Sequence, residues 1–425
     1  MQHYDSYKPS GISWIGEIPS HWEFAQLRKF LTLVSVKGYG HKQLLSVTRE
    51  QGVVVRDVES KEANHNYIPD DLSNYKLVKV GQFAINKMKS WQGSYAVSNY
   101  EGIVSPAYYV CDLNFDYKDF FSLAIRSKAY IPFFTQMSKG IRVDQWDLST
   151  NALKDIPFFV PPLHEQKKIV EFLSTKTLQI NAQQRERERE LRLLDELKQA
   201  EIANVVTRGL NPAVSMKDSG IPWIGQIPAH WEVKYLFQFA KEHNISNKEI
   251  HHQNLLSLSY GRIIRKDINT TDGLLPESFD TYQVVEANNI ILRLTDLQND
   301  HKSLRVGLVN ETGIITSAYV CLEIDEDAFC PSYFYNMLHS FDLKKVFYSM
   351  GGGLRQNLNY QGLRKLEIIL PPIEEQKAIV EYIQQKNSAI DEMIANLRAE
   401  IDFLTEYKQR LIADVVTGQV NVQNL

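Results

Sequence analysis

A loop in the first half of the chain concentrates side chains that could contact a nucleic acid. The segment from Asn86 to Tyr95 mixes lysines, amides and aromatic rings, which suit phosphates and base edges. The alternative is a solvated connection between strands, and the sequence alone leaves both open. The residues predicted to contact DNA in this loop are Lys87, Lys89, Trp91, Gln92 and Tyr95.

The second half has a counterpart, from Leu294 to Arg305. A further candidate in each half is the turn after a predicted helix, because arginine binds guanine bidentately and glutamine or asparagine binds adenine. Basic residues at a helix end also satisfy the helix dipole, so this prediction has a structural alternative. The predicted contacts are Lys139, Arg142 and Gln145 in the first half, and Arg293, Gln298, Lys302, Arg305, Arg355, Gln356 and Asn357 in the second.

The patterns that resemble catalytic sites are incomplete. Glu165-Gln166-Lys167 matches a fragment of a nuclease motif, but it has no paired aspartate upstream and lies where a helix should begin. His164 lacks the second histidine of a zinc protease motif, and the glycines at 351–353 lack the Gly-Lys-Ser/Thr of a phosphate loop. The sequence therefore predicts no catalytic residue, no metal site and no cofactor in this chain.

The candidate contact residues need a scaffold that positions them. Two sequence segments that occur twice in the chain could belong to such a scaffold. Residues 10–23 and 219–232 are identical at 11 of 14 positions, at a shift of 209 residues. Residues 161–171 return as 371–381, at a shift of 210 residues. The period is too long for a solenoid, whose units are about 20 to 50 residues. The sequence thus predicts a duplicated unit of one domain and one helix.

Within each copy the sequence predicts short strands and one packed helix. The helices are predicted from Tyr117 to Ser138 and from Pro331 to Met350, each with one apolar face. Gly140 and Gly353 follow them and fit left-handed caps. β-branched and aromatic runs bounded by Gly, Asn and Asp indicate the strands. The predicted strands lie at 44–47, 102–108, 156–160, 255–258, 313–319 and 366–370.

Two long helices are predicted, from Leu163 to about Thr207 and from Ile373 to about Thr417. A proline pair precedes each, and the first contains neither Gly nor Pro over a length of roughly 65 Å. Both carry apolar stripes near a coiled-coil spacing, so they are predicted to pair antiparallel. Val415–Thr417 would then lie near residues 10–23, which we call the first tryptophan phrase; residues 219–232 are the second. The first stripe comprises Leu173, Ile180, Leu191, Leu194, Leu197, Ile202 and Val205.

These features predict an α+β fold with a pseudo-twofold internal repeat. Two globular domains are separated by two long antiparallel coiled-coil helices. The predicted boundaries are 1–160 for the first domain, 161–212 for the central helix, 213–370 for the second domain and 371–425 for the C-terminal helix.

The bulk composition limits the classes of function. The net charge of −4 argues against a basic protein that coats DNA, so a DNA-binding face would be a local patch. Residues 230–370 carry 14 Lys/Arg and 17 Asp/Glu, against 17 and 14 in residues 21–160. No apolar run reaches the ~20 residues of a membrane span. Three cysteines without metal-ligand spacing favour reduced thiols and a cytoplasmic location.

The repeated tryptophans are predicted to pack and to dock partners rather than to read sequence. Trp side chains are heavily buried on average, and base-reading residues should differ between the copies. The residues assigned to this role are Trp14, Trp22, Trp223 and Trp231.

The paired Ser-Gly-Ile-x-Trp-Ile-Gly and Pro-Pro-x-x-Glu-Gln phrases make the chain resemble the specificity subunits of Type I restriction–modification enzymes. The resemblance covers nearly the whole chain. It implies that each domain is a target-recognition domain for one half of a split, asymmetric sequence in double-stranded DNA. It also implies that the long helices set the gap between the halves.

The same resemblance implies partner subunits. Two methyltransferase subunits would bind S-adenosylmethionine, and where restriction accompanies modification two motor subunits would use ATP and Mg²⁺ to translocate and cut DNA. Two other functions stay open on the residues alone. One is a coiled-coil scaffold with two protein-binding heads, which the acidic second domain favours slightly. The other is a nuclease acting alone, which the lack of a paired carboxylate cluster disfavours.

Overall fold

The structure is a computed structural model that describes residues 3–58, 68–140, 146–248, 252–268, 278–297, 304–350 and 357–423. The chain divides into two compact units. The first unit consists of residues 1–188 and 398–425, and the second of residues 189–397. Each unit includes part of each long helix, so the compact units cut across the domain boundaries predicted from the sequence.

The helices differ greatly in length. They are α1 (Lys118–Ile125), α2 (Ile131–Met137), α3 (Thr150–Asp155), α4 (Leu163–Arg208), α5 (Pro331–Leu343), α6 (Tyr360–Leu363) and α7 (Ile373–Val416). The two long helices, α4 and α7, begin directly after the proline pairs, as predicted. Proline suits this position because the first turn of a helix has no intrahelical acceptor for its N–H groups.

The first unit is built from short antiparallel strands. They are β1 (Tyr7–Ile12), β2 (Gly16–Pro19), β3 (Glu23–Gln26), β4 (Leu31–Val34), β5 (Leu45–Thr48), β6 (Gly52–Val55), β7 (Lys76–Val78), β8 (Phe83–Ile85), β9 (Tyr95–Val97), β10 (Gly102–Val104), β11 (Tyr109–Leu113), β12 (Ser138–Lys139), β13 (Asp147–Leu148) and β14 (Pro157–Val160). The largest sheet has the order β4-β11-β8-β9.

The second unit repeats this plan. Its strands are β15 (Met216–Asp218), β16 (Gln226–Pro228), β17 (Glu232–Tyr235), β18 (Ala240–Glu242), β19 (Ile245–Ser246), β20 (Leu256–Ser259), β21 (Arg262–Arg265), β22 (Gln283–Val285), β23 (Ile290–Leu292), β24 (Val306–Leu308), β25 (Gly313–Ile315), β26 (Val320–Ile324) and β27 (Glu367–Leu370). Its four-stranded sheet has the order β18-β26-β23-β24, which matches the first sheet strand for strand. The α+β class and the internal repeat are confirmed.

One strand pairing in each unit joins the two repeated phrases. β3, which follows the first tryptophan phrase, pairs antiparallel with β14, and β17 pairs with β27 in the same way. β14 and β27 lead directly into the proline pairs and the long helices. The sheet therefore holds each tryptophan phrase beside the start of a long helix.

Segments of α4 and α7 run antiparallel within each unit. In the first unit, Lys408 Nζ donates to Asn181 Oδ1 at 3.0 Å and Gln184 Nε2 donates to Thr405 Oγ1 at 2.7 Å. In the second unit, Lys198 Nζ lies 2.6 Å from Asp391 Oδ1. Residue numbers fall along one helix as they rise along the other, which is the predicted direction.

The core of each unit encloses one end of a long helix. Val415 and Val416, at the end of α7, are buried in the aromatic core of the first unit. Val205 and Val206, at the end of α4, occupy the same place in the second. The prediction that the C-terminal valines lie near the first tryptophan phrase is confirmed. The apolar stripe is less regular than predicted, since Leu197 is 54% exposed.

Two predicted helices are wrong in extent. The helix predicted from Tyr117 to Ser138 is two helices, because Pro132 lies in the first turn of α2 and cannot continue a preceding helix. The helix predicted from Pro331 to Met350 ends at Leu343, and Lys345 then takes a left-handed conformation, with φ of 60°. The left-handed cap expected at Gly140 is also wrong, since α2 is followed at once by the strand β12.

Candidate nucleic-acid interface and helix clamps

A buried carboxylate connects the first tryptophan phrase to α4. Glu165 lies in the first turn of α4 and accepts hydrogen bonds from Trp22 Nε1 at 3.0 Å and Tyr4 Oη at 3.2 Å. His21 Nε2 lies 2.6 Å from the second carboxylate oxygen. Burial, together with the Glu165 charge, raises the pKa of Tyr4, so this hydroxyl stays protonated and donates.

The second unit has the same arrangement in a more open form. Trp231 Nε1 donates to Glu375 Oε2 at 3.0 Å, and His230 Nε2 lies 2.6 Å from Glu375 Oε1. The Glu375 side chain is 42% exposed, against 6% for Glu165. We call each His-Trp-Glu group a helix clamp. The sequence indicated both clamps, because residues 10–23 and residues 161–171 recur at nearly the same shift, 209 and 210 residues.

Within each unit, further hydrogen bonds hold the end of the other long helix. Tyr7 Oη donates to the carbonyl of Gly418 at 3.1 Å, and Gln419 Nε2 donates to the carbonyl of Glu17 at 2.6 Å. In the second unit, Tyr333 Oη donates to the carbonyl of Val206 at 2.8 Å. The clamps therefore have a structural role. Glu165 of the Glu165-Gln166-Lys167 segment connects the tryptophan phrase to α4 and is not part of a nuclease site.

The four tryptophans predicted to dock partners fall into two pairs. Trp22 and Trp231 are fully buried in the clamps, so direct docking through them is wrong. Trp14 is 38% exposed and its ring meets Phe133 edge-on at 4.8 Å. Trp223 is half-buried. Trp14 and Trp223 stay predicted docking residues.

The predicted DNA-contacting loop of the first unit lies between β8 and β9. Residues 90–92 form a 3-10 turn that ends at Gly93, which is left-handed. Lys87 Nζ donates to Asp147 Oδ2 at 2.7 Å, and this bond raises the pKa of the lysine. Lys89 is exposed and Gln92 is half-buried. Lysines and an amide thus reach the surface here, and their contact with DNA stays a prediction.

The aromatic residues of the loop have different environments. The Trp91 ring packs edge-on against Trp146 at 5.5 Å, and Trp91 Nε1 is buried without an acceptor among the described residues. Tyr95 is fully buried and stacks on Phe134 at 3.8 Å. Tyr95 cannot reach DNA from the core, so its assignment as a DNA contact is wrong.

The turn after α2 is only partly described. Lys139 is exposed and lies opposite Asp147 in the pairing of β12 with β13. The strand pairing therefore puts Lys139 opposite the residue that pairs with Lys87. Arg142 and Gln145 lie outside the described residues.

The residues of the second unit that were predicted to contact DNA lie in different environments. Arg293 is half-buried at the end of β23. Arg305 is fully buried and donates through Nη1 to the carbonyls of Arg293 and Thr295, each at 2.9 Å, and through Nε to Tyr348 Oη at 3.0 Å. Its assignment as a DNA contact is wrong, because its donors hold the protein backbone. Gln298, Lys302, Arg355 and Gln356 lie outside the described residues.

Asn357 is the described member of the second post-helix turn. It is exposed, and its Oδ1 accepts from the backbone N–H of Asp296 at 2.8 Å. Sequence reasoning missed Asp147, which stands at the corresponding position in the first unit. Basic residues and amides were the signal for a DNA contact, but an acidic side chain can also accept a hydrogen bond from a base.

The described ranges hold no group of three or more His, Cys, Asp or Glu residues placed to bind a metal ion. Over the same part of the chain, no helix combines the length and apolarity that crossing a membrane requires.

Comparisons with known proteins cover both copies. A family model of the Type I restriction modification DNA specificity domain matches residues 74–191 and 306–402. The chain is 24% identical over 437 aligned positions to a protein named as the specificity subunit of the type I restriction enzyme MjaX of Methanocaldococcus jannaschii, covering 96% of each. It is 22% identical to the MjaVIII specificity subunit of the same organism, covering 96% of this chain and 95% of the relative.

A solved structure from work on complex assembly and conformational transition of the type I R-M system has a similar fold. The TM-score is 0.65 at 14% sequence identity, and the match covers 95% of this chain and 99% of that one. At this identity the likeness concerns the fold alone.

Proposed function

The chain belongs to the Type I restriction–modification DNA specificity family, and from this premise we propose that each of its units reads one half of a two-part DNA sequence. It is a DNA sequence-specificity subunit. The observation that carries the proposal is the repeat itself. The two units share their sheet order and their helix clamps, but they differ in the side chains at the predicted contact positions.

The differences between the units suit an asymmetric site. Two identical units would read two identical half-sites, as symmetric dimers do. Here, Lys87 and Asp147 form an ion pair in the first unit, while the second unit carries Asn357 at its post-helix turn. Different hydrogen-bonding groups select different bases, so each half-site is expected to have its own sequence.

We also propose that the chain docks two methyltransferase subunits, one on each unit. The half-exposed rings of Trp14 and Trp223 supply one corresponding docking position per unit. Two motor subunits would join where restriction accompanies modification, and the assembly would act in the cytoplasm.

Catalysis is proposed to lie in those partners, which would hold S-adenosylmethionine, ATP and Mg²⁺. Methylation requires the target adenine to leave the base stack, and the specificity subunit would hold the duplex in register while a partner extrudes it.

Base-resolution mapping of methylated DNA tests the proposal. Cells would express the chain with its cognate methyltransferase, and cells with the methyltransferase alone are the control. We expect one methylated motif made of two unlike halves and a fixed gap. A protein scaffold without sequence-specific DNA binding would leave no such motif in either strain.

A paired helix deletion sharpens the test. Gln184 bonds to Thr405, so removing residues 184–190 and 399–405 together takes one heptad from each helix at matching positions. Each helix shortens by about 10 Å, with a rotation of only ~20°. The gap is expected to shorten by about three base pairs, at ~3.4 Å each, while both half-sequences stay unchanged. Altered half-sequences with an unchanged gap would contradict the role of the helices.

A further inference from the structure

One structurally equivalent position carries different chemistry in the two units. The backbone N–H of Leu148 donates to the carbonyl of Lys87 at 3.1 Å, and that of Leu358 donates to the carbonyl of Leu294 at 2.9 Å. Lys87 and Leu294 each lie two residues beyond the same strand of the four-stranded sheet, β8 or β23. The residues just before Leu148 and Leu358 are therefore equivalent, and they are Asp147 and Asn357.

The residues that follow support the same alignment. Ser149 caps α3 by accepting from the N–H of Ala152 at 3.2 Å, and Asn359 caps α6 by accepting from the N–H of Gly362 at 3.1 Å. Each short helix then leads into the strand that precedes the proline pair. A bonded leucine one residue further along and a helix cap two residues further along thus fix the position in each unit.

In the first unit this position presents a hydrogen-bond acceptor. The Asp147 side chain is 45% exposed, and Oδ2 accepts from Lys87 Nζ at 2.7 Å. Its Oδ1 is buried without a donor among the described residues, so the oxygen that can face a base is Oδ2, which can accept a second hydrogen bond beside that from Lys87. Lys139 is the register partner of Asp147 across the β12–β13 pair and is exposed, so a second lysine lies on the neighbouring strand. Such a patch can approach a phosphate backbone and still offer an acceptor to a base edge.

In the second unit the same position presents an amide. Asn357 is exposed, and its Oδ1 is bonded to the backbone N–H of Asp296. Its Nδ2 therefore points away from that bond as a potential donor. Leu294 stands where the first unit has Lys87 and is buried, so the lysine that pairs with Asp147 has no counterpart at that position.

We propose that Asp147 and Asn357 are matched base-reading residues, one in each unit. Asp147 accepts a hydrogen bond from an exocyclic amino group in the major groove, which cytosine carries at N4 and adenine at N6. Asn357 offers an amide donor to an acceptor on a base edge in the other half-site. This inference rests on the proposed DNA-reading function and adds the residue and the base chemistry.

A purely structural role for Asp147 predicts something different. Exposed ion pairs add little to stability, so a structural pair could be lost with no change in DNA preference. The Lys42–Glu101 pair of the same unit offers a matched control, because its ions are also 2.7 Å apart and comparably exposed, at 36% and 47%. Glu101→Gln removes an equivalent ion pair away from the proposed position.

The test uses the full chain assembled with its cognate methyltransferase subunits. The wild type, Asp147→Asn, Asp147→Ala, Asn357→Asp and Glu101→Gln each select from a library of randomised duplexes, and sequencing gives the base frequencies at every position. Thermal unfolding of each variant checks that the fold is retained, and the alanine variant serves if the asparagine variant fails to fold.

Asp147→Asn is expected to change base preference at one position of one half-site by at least about fivefold, the low end for one good base contact. Asp147→Ala should make that position degenerate. Asn357→Asp should change one position in the other half-site, and Glu101→Gln should change neither.

Identical motifs from all five proteins would overturn the inference and leave the proposed function intact. Loss of preference in both halves at once, from either variant, would also overturn it. Failure of the wild type to enrich any motif would instead overturn the proposed function, and the inference with it.

Discussion

The two helix clamps give a sharp energetic prediction, because the same joint is buried in one unit and open in the other. We expect Glu165→Ala to destabilise the first unit more than Glu375→Ala destabilises the second. The Glu165 side chain is 6% exposed and the Glu375 side chain 42%. Water can reach the second site and replace a lost carboxylate, but it cannot readily reach the first.

The magnitude follows from the donors left behind. Glu165→Ala leaves two buried donors, Tyr4 Oη and Trp22 Nε1, without their acceptor. A buried donor without an acceptor costs about 1–3 kcal/mol, so losing the acceptor of two donors should cost roughly 2–6 kcal/mol. Glu375→Ala leaves one donor, Trp231 Nε1, without its acceptor, and should lower the free energy of unfolding by about 1–2 kcal/mol. The expected difference is therefore on the order of 2 kcal/mol.

A conservative variant separates hydrogen bonding from charge. Glu165→Gln keeps an oxygen that can accept from Trp22 and Tyr4, and its amide can donate to the His21 ring. Neutral hydrogen bonds are roughly half as strong as charged ones, so this variant should cost about 1 kcal/mol.

Native-state hydrogen exchange read by peptide mass spectrometry can assay each unit separately, since units can open with different free energies. Peptides from β3 and β14 report on the first unit, and those from β17 and β27 on the second. Equal losses from the two alanine variants would refute the reasoning, because they would mean that burial of the carboxylate does not determine its contribution.

Three further predictions concern the same scaffold. Gly418→Ala should lower the thermal unfolding midpoint more than Gly220→Ala: both glycines have φ near 75°, but a Cβ at Gly418 would clash with Pro19, whereas one at Gly220 meets nothing within 4 Å. Arg305→Ala should destabilise the second unit by about 3–5 kcal/mol in denaturant unfolding and leave base preference unchanged, because it removes a buried charge that holds backbone carbonyls. Burial lowers the pKa of His339 in the folded state, so its contribution to stability is present above the unfolded pKa of about 6.5 and is lost as pH falls. Unfolding midpoints of wild type and His339→Phe at pH 7 and pH 5 measure this, and the variant should lose less.

The sequence predicted the long helices well because local signals define them. A proline pair before α4 and α7 and a stripe of apolar residues determine where each begins and which face it buries. The same local reasoning failed for the helix expected from Tyr117 to Ser138. Apolar spacing continues across residues 126–130, which separate α1 from α2, so periodicity alone joined two helices into one.

Candidate contact residues were harder to predict, because side-chain chemistry does not reveal burial. Tyr95 and Trp91 are aromatic neighbours in one loop, yet Tyr95 stacks in the core and Trp91 lies half-buried beside Trp146. Arg305 has the chemistry of a guanine reader, but its donors satisfy backbone carbonyls at the end of β23. These outcomes depend on long-range packing, which spacing along the chain does not encode.

The repeat shows which structural residues the two units share and which residues differ between them. The clamp bonds from Trp22 to Glu165 and from Trp231 to Glu375 have the same length, 3.0 Å, although they lie in different halves of the chain. Both halves thus retain the residues that join a tryptophan phrase to a helix. Asp147 and Asn357 differ at a position whose following leucine makes the same backbone hydrogen bond in both units, and their side chains have different partners, Lys87 Nζ and the N–H of Asp296. A position that the scaffold holds constant but the sequence varies is where two readers of one fold can acquire different targets.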